Sequence, residues 1–201
     1  MTKQLDKILI QDYNTTPSGK GIFWSRPGKA RLLIKDRSVI LERLFVSYSA
    51  WYDVSPGDMG SGLPLQAMCL HHTRSEKYVL SKKAKLWAVE LNDFLYLFSM
   101  PTLEKDQVEA CVLFSIEDAL PRVKPHKEHM YSFITAVFVA DEADDDALKH
   151  VRKRKFFKSY KWGLCGSSPL KTAALDIRRE KIVANNMGRD LCKQIKNICK
   201  E

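Results

Sequence analysis

A chain of 201 residues with 45% hydrophobic side chains has room for one core of ordinary size. No apolar run approaches the roughly 20 residues that cross a bilayer, so neither a spanning helix nor a membrane partner is expected. The formal charge is +9, and residues 149–201 hold all of the excess, with fifteen Lys/Arg against four Asp/Glu. Residues 1–148 carry eighteen against twenty. Such a field attracts phosphate polymers, anionic membranes or acidic proteins.

In chain order, Leu5, Ile8, Leu9 and Tyr13 mark one face of a short helix over residues 3–13. Residues 14–20 read as a loop, and Ile22 to Trp24 is an apolar island. Residues 30–52 read two ways. They form a strand pair about Asp36-Arg37-Ser38, or a helix with Leu41, Leu44, Phe45 and Tyr48 on one face. Residues 55–64 hold three Gly and two Pro and form an irregular surface loop. They lack the Lys-Ser/Thr ending of a phosphate-binding loop.

Residues 67–100 read as antiparallel sheet. Two strand-like runs, 85–91 and 94–100, meet at Asn92-Asp93, which suits a tight hairpin. Pro101 ends the second run and Thr102 caps a helix. That helix carries Val108, Cys111, Val112, Ile116 and Ala119 as a stripe, and Pro121 stops it. Residues 130–140 are almost without polar interruption and read as a central strand covered on both faces. A helix begins near Asp144 and runs toward residue 158. Residues 171–177 and 181–184 form a hairpin across Arg178-Arg179-Glu180. A last helix buries Leu191, Cys192, Ile195, Ile198 and Cys199 and exposes Lys193, Lys196 and Lys200. The expectation is a single α+β domain over residues 1–201, with a mixed or largely antiparallel sheet and helices packed against it.

The most polarised stretch is residues 144–162. Three acids, Asp144 to Asp146, are followed by Lys149, Arg152, Lys153, Arg154, Lys155, Lys158 and Lys161, then by Tyr160 and Trp162 among four aromatics. Acids at a helix start and bases at its end complement the helix dipole, which accounts for two or three of the bases. Successive helical side chains point about 100° apart, so Arg152 to Lys155 cannot share one face. Phe156 and Phe157 are assigned to the core. Tyr160 and Trp162, if exposed, would alternate stacking surface with charge, as in proteins that bind single-stranded nucleic acid.

Three functional readings follow. The first is a non-enzymatic nucleic-acid-binding protein using Lys149, Arg152, Lys153, Arg154, Lys155, Lys158, Tyr160, Lys161 and Trp162. The second is an interaction module or inhibitor that presents this patch to an acidic protein. The third is a weak metal-dependent nuclease or other hydrolase, which would show two carboxylates beside a lysine. No nucleophile elbow or His-Glu-x-x-His motif is present, and no catalytic residue or cofactor is assigned. Cys69, His71, His126 and His129 lack the paired spacing of a zinc site, so no metal is assigned. Gly163-Leu-Cys-Gly-Ser-Ser-Pro reads as a strand connection or an anion-binding nest. The five scattered cysteines fit reduced thiols, and a cytoplasmic location is expected. The segment 157–163, with residues 174–177 and 186–189, resembles parts of uncharacterised bacterial proteins and implies no activity.

Overall fold

The computed structural model describes residues 34–57, 62–78 and 85–200. The helix expected over 3–13, the loop over 14–20 and the island at 22–24 lie outside them. The described residues form four α-helices and one seven-stranded mixed sheet, an α+β fold with helices on both sheet faces. None of these helices is long and apolar enough to cross a membrane.

Helix α1 (Arg37–Ser49) settles the double reading of residues 30–52. The Asp36 carboxylate accepts the Ser38 N–H at 2.8 Å and the Ser38 hydroxyl at 2.5 Å, which caps the first turn. Ile40, Leu44 and Tyr48 then fall four residues apart on the buried face. Strand β1 (Asp53–Pro56) enters the segment expected to be irregular, and Pro56 and its mostly exposed side chains suit an edge. It pairs antiparallel with β2 (Leu65–Tyr78), which pairs antiparallel with β3 (Lys85–Leu103).

The hairpin expected at Asn92-Asp93 is not formed, because β3 runs unbroken through both residues. The two side chains point to opposite faces and find distant partners. The Asn92 amide bonds His72 and Ser132, while the Asp93 carboxylate accepts from Tyr52 and Thr135. Tertiary hydrogen bonds here outweigh the local turn preference. The strand also passes Pro101 and Thr102. Helix α2 (Lys105–Ala119) is capped instead at Glu104, whose N–H donates to the Gln107 side chain at 3.1 Å. The expected stripe from Val108 to Ala119 is buried throughout, and Pro121 sits in the 3₁₀ turn that closes the helix.

Strand β4 (His129–Ala143) lies parallel to β3 and to β6 (Ser167–Asp176), and is covered on both faces as expected. Helix α3 (Asp145–Lys153) crosses between β4 and the next strands. The far edge of β6 is shared. Its first half pairs with β5 (Phe157–Ser159) and its second half with β7 (Lys181–Ala184), both antiparallel. Helix α4 (Arg189–Ile198) closes the described chain. Alternate strand residues feed two cores. Phe94, Tyr96, Phe98, Ile134 and Phe138 pack with α2 and α3. Leu95, Leu97, Val137, Val139 and Leu175 pack with α1 and α4.

Candidate functional site

The basic stretch follows from how α3 starts and stops. Asp144 is the N-cap residue, Asp145 and Asp146 lie in the first turn, and His150, Arg152 and Lys153 lie in the last. Some of its charge is consumed locally. Lys149 pairs with Asp146 at 3.0 Å, and Arg154 is half-buried 3.6 Å from Glu109. Arg179 lies 2.6 Å from Asp145 and, by that hydrogen bond and its charge, holds the Asp145 carboxyl below its ordinary range. Arg152, Lys153, Lys155, Lys158 and Lys161 are exposed.

The helix ends at Lys153, five residues short of the expected position. Asn185 is the cause. Its buried amide donates to the Arg154 and Leu170 carbonyls at 3.1 and 2.9 Å, and its oxygen accepts from the Thr172 and Gly188 N–H groups at 3.2 and 2.8 Å. This ties the chain leaving α3 to β6, and the Leu170 N–H reaches the Phe156 carbonyl at 3.0 Å. Residues 154–159 are therefore extended, and the three residues of β5 are all exposed. Phe156 packs against the α2/α3 core, as assigned, but Phe157 is 66% exposed, which corrects its assignment to the core.

Residues 160–166 then make a tight loop. The Gly163 and Cys165 N–H groups bond the Tyr160 carbonyl, and the Tyr160 N–H bonds the Gly166 carbonyl. Lys161 and Trp162 both have left-handed backbone, with φ of 47° and 58°. For residues with a Cβ this costs roughly 1–2 kcal/mol each. Trp162 is nevertheless 100% exposed, so its ring returns nothing in packing. Gly166, at φ 79°, passes so close to β4 that a Cβ would lie 2.6 Å from the His129 and Met130 carbonyl oxygens.

Tyr160 is half-buried rather than a free stacking surface. Its hydroxyl meets Ser168 at 2.9 Å and its ring packs edge-on to His129. His129 anchors the loop further. Its Nδ1 donates to the Cys165 carbonyl at 2.7 Å, and its Nε2 accepts from Ser132 at 2.8 Å. Ser132 accepts from Asn92 at 3.1 Å, and Asn92 accepts from His72 at 2.7 Å. A directional chain thus runs across three strands to the loop. His126 donates to Glu90 at 2.9 Å in the same region. Cys69 and His71 belong to the opposite face. Cys69 is buried in the α1/α4 core, where burial pushes its thiol up to about 12, and His71 bonds the Trp51 carbonyl. Among the described residues, no three His, Cys, Asp or Glu side chains converge as metal ligands.

A cleft of about 350 Å³ opens beside the loop, where β4 begins. Met130, Phe157 and Leu164 form its apolar wall, and Ser159 and Ser167 supply hydroxyls. Lys127 also lines it, and sequence reasoning missed this residue, which lies twenty-two positions before Lys149, the first base of the basic stretch. Leu164 is 77% exposed and Met130 45%. No local pattern linked either to Trp162.

A second polar group lies on the α1/α4 face. Asp93 accepts from Thr135 at 2.7 Å and Tyr52 at 3.2 Å. Burial pushes its carboxyl above the ordinary range, against the opposing pull of Lys171 and of those hydrogen bonds. The Lys171 ammonium sits 3.2 Å from Asp190 and 4.0 Å above the Phe133 ring. Tyr48 is buried nearby, and its hydroxyl has no hydrogen-bond partner among the described residues.

Fold and site together define an α+β sheet protein, helix-covered on both faces, that displays a basic edge with an anchored aromatic tip. The chain belongs to the family described as a domain of unknown function (DUF8052), whose model matches residues 36–197. That span begins at the α1 cap and ends within α4, so it includes every strand described above. No curated protein and no solved structure matches the chain.

Proposed function

We propose that this chain binds single-stranded nucleic acid along the edge formed by β5 and the loop 160–166. The observation that carries this reading is Trp162, fully exposed on strained backbone between Lys161 and Gly163. Strain held in a loop that five backbone hydrogen bonds and the His129 bond to Cys165 close points to a role for the ring it displays. An exposed indole is a stacking platform for any base. Lys155, Lys158 and Lys161 lie on the same short segment, and Lys127 lines the adjoining cleft. They supply the phosphate contacts, which give affinity with little sequence preference. Of the nine residues expected to bind, Lys149 and Arg154 contribute less because carboxylates already hold them, and Tyr160 supports the loop from beneath.

The test is titration with short single-stranded DNA and RNA, with tryptophan fluorescence compared between the native chain and Trp162→Ala. The reading predicts quenching that disappears in the variant. Quenching that survives the substitution, or binding to anionic vesicles or an acidic protein with none to oligonucleotides, contradicts it.

A second reading, hydrolysis, has one observation in its favour: Asp93 and Asp190 flank Lys171. Its test is cleavage of labelled single strands with magnesium or manganese by the native chain and by Lys171→Ala. Cleavage by the first and not the second supports it, and no cleavage by either removes it.

A further inference from the structure

The cleft beside the loop has a shape and chemistry that the stacking role of Trp162 does not use. We infer that it seats one unstacked nucleobase of the bound strand, an inference that rests on the reading proposed above. At about 350 Å³ it falls at the small end of ligand sites, room for one flat heteroaromatic ring and not for a duplex step. Phe157 and Leu164 present apolar surface on its wall. The Ser159 and Ser167 hydroxyls each donate and accept, so they satisfy the polar edge of any base. Single-stranded recognition commonly splays a base onto such a surface.

Charge favours the same occupant. Lys127 lines the cleft and Lys161 stands at the loop tip, both placed for the phosphates on either side of a seated base. The acid of the cleft, Glu128, is bonded to Arg74 at 2.6 Å and so repels an incoming phosphate less. An acyl chain or a membrane surface would meet a convex apolar tip. Here the apolar wall lies beside the Ser159 and Ser167 hydroxyls and Lys127. The loop anchors also keep the cleft open before any ligand arrives, because Gly166 and the His129 bond to Cys165 hold the loop against the start of β4.

The experiment compares a labelled ten-nucleotide DNA strand with an abasic strand of equal length and charge. Trp162→Ala is the background, so that stacking on the indole is removed. The cleft predicts that this variant still prefers the base-bearing strand at least fivefold. Adding Ser159→Phe, at an exposed position, fills the cleft and brings the ratio close to one with the salt dependence unchanged. Leu164→Ala, also exposed, lowers the ratio at least twofold and serves as the second variant should the first unfold. A ratio near one in Trp162→Ala alone, or a ratio unchanged by both added substitutions, overturns the inference while phosphate docking stands. No binding of either strand by the native chain overturns both.

Discussion

Replacing Gly166 by Ala should damage the fold far more than an exposed-loop substitution normally does. The residue sits at φ 79°, where a Cβ carries a penalty of roughly 1 kcal/mol. The new methyl would also lie 2.6 Å from three atoms: the His129 Nδ1, the His129 carbonyl oxygen and the Met130 carbonyl oxygen. Two of these are backbone in a strand paired on both sides, so the loop must move instead, at about 1–3 kcal/mol. Movement stretches the bond from His129 to the Cys165 carbonyl, leaving a buried imidazole short of one partner at about 1–3 kcal/mol. The total of roughly 3–7 kcal/mol is a large part of an ordinary domain's stability. It corresponds to a fall in Tm of roughly 6–28 °C for a chain of this size. Gly163→Ala is the control. Its φ is 90°, but a Cβ would meet only the Ser159 hydroxyl at 3.8 Å, so the strain alone remains and Tm falls by roughly 2–4 °C. Thermal melting of both variants by circular dichroism checks this. Equal melting temperatures for the two would refute the claim that the loop is wedged against β4.

Further substitutions separate stability from binding. Trp162→Gly relieves the left-handed strain and should raise stability by about 0.5–1 kcal/mol in urea unfolding, while weakening strand binding by roughly 5- to 150-fold. Asn185→Ala unties four backbone groups at once and should cost roughly 2–5 kcal/mol, read by the same unfolding curves. Asp93→Asn tests the buried carboxyl. Because its folded pKa lies above the unfolded value, folding favours the protonated form, and that contribution is present at low pH and lost as pH rises through the folded pKa. The Asn variant should therefore melt higher than the native chain at pH 7, with the gap narrowing as pH approaches about 4. A gap that widens on acidification would show the charged form to be the favoured one.

Much of the fold is legible where one periodicity dominates. The stripe of α2, the uninterrupted apolar run of β4, the β6/β7 hairpin and the buried face of α4 all follow from local pattern. The pattern fails where a distant side chain decides the local structure. Asn92 and Asp93 carry strong turn character, but Ser132, His72, Tyr52 and Thr135 satisfy them within a strand. The end of α3 has no Gly or Pro to announce it, and the Asn185 amide some thirty residues later supplies the cause. Once the chain turns extended there, successive side chains point to opposite sides, so Phe156 packs half-buried against the core while Phe157 is exposed. The basic stretch and Trp162 are plain in the sequence. The cleft is not, because Lys127 and Met130 reach it only through the parallel pairing of β4 with β6.

The most direct measurement is the affinity of the full chain for a labelled single strand by fluorescence anisotropy, repeated across a salt series. The account predicts that log affinity falls linearly with log salt. With about four phosphate contacts the slope should be near −3. Replacing Lys155, Lys158 and Lys161 together by Glu should flatten it by about 2 or more. A slope near zero in the native chain, or one unchanged by those three substitutions, would contradict nucleic-acid docking on this edge.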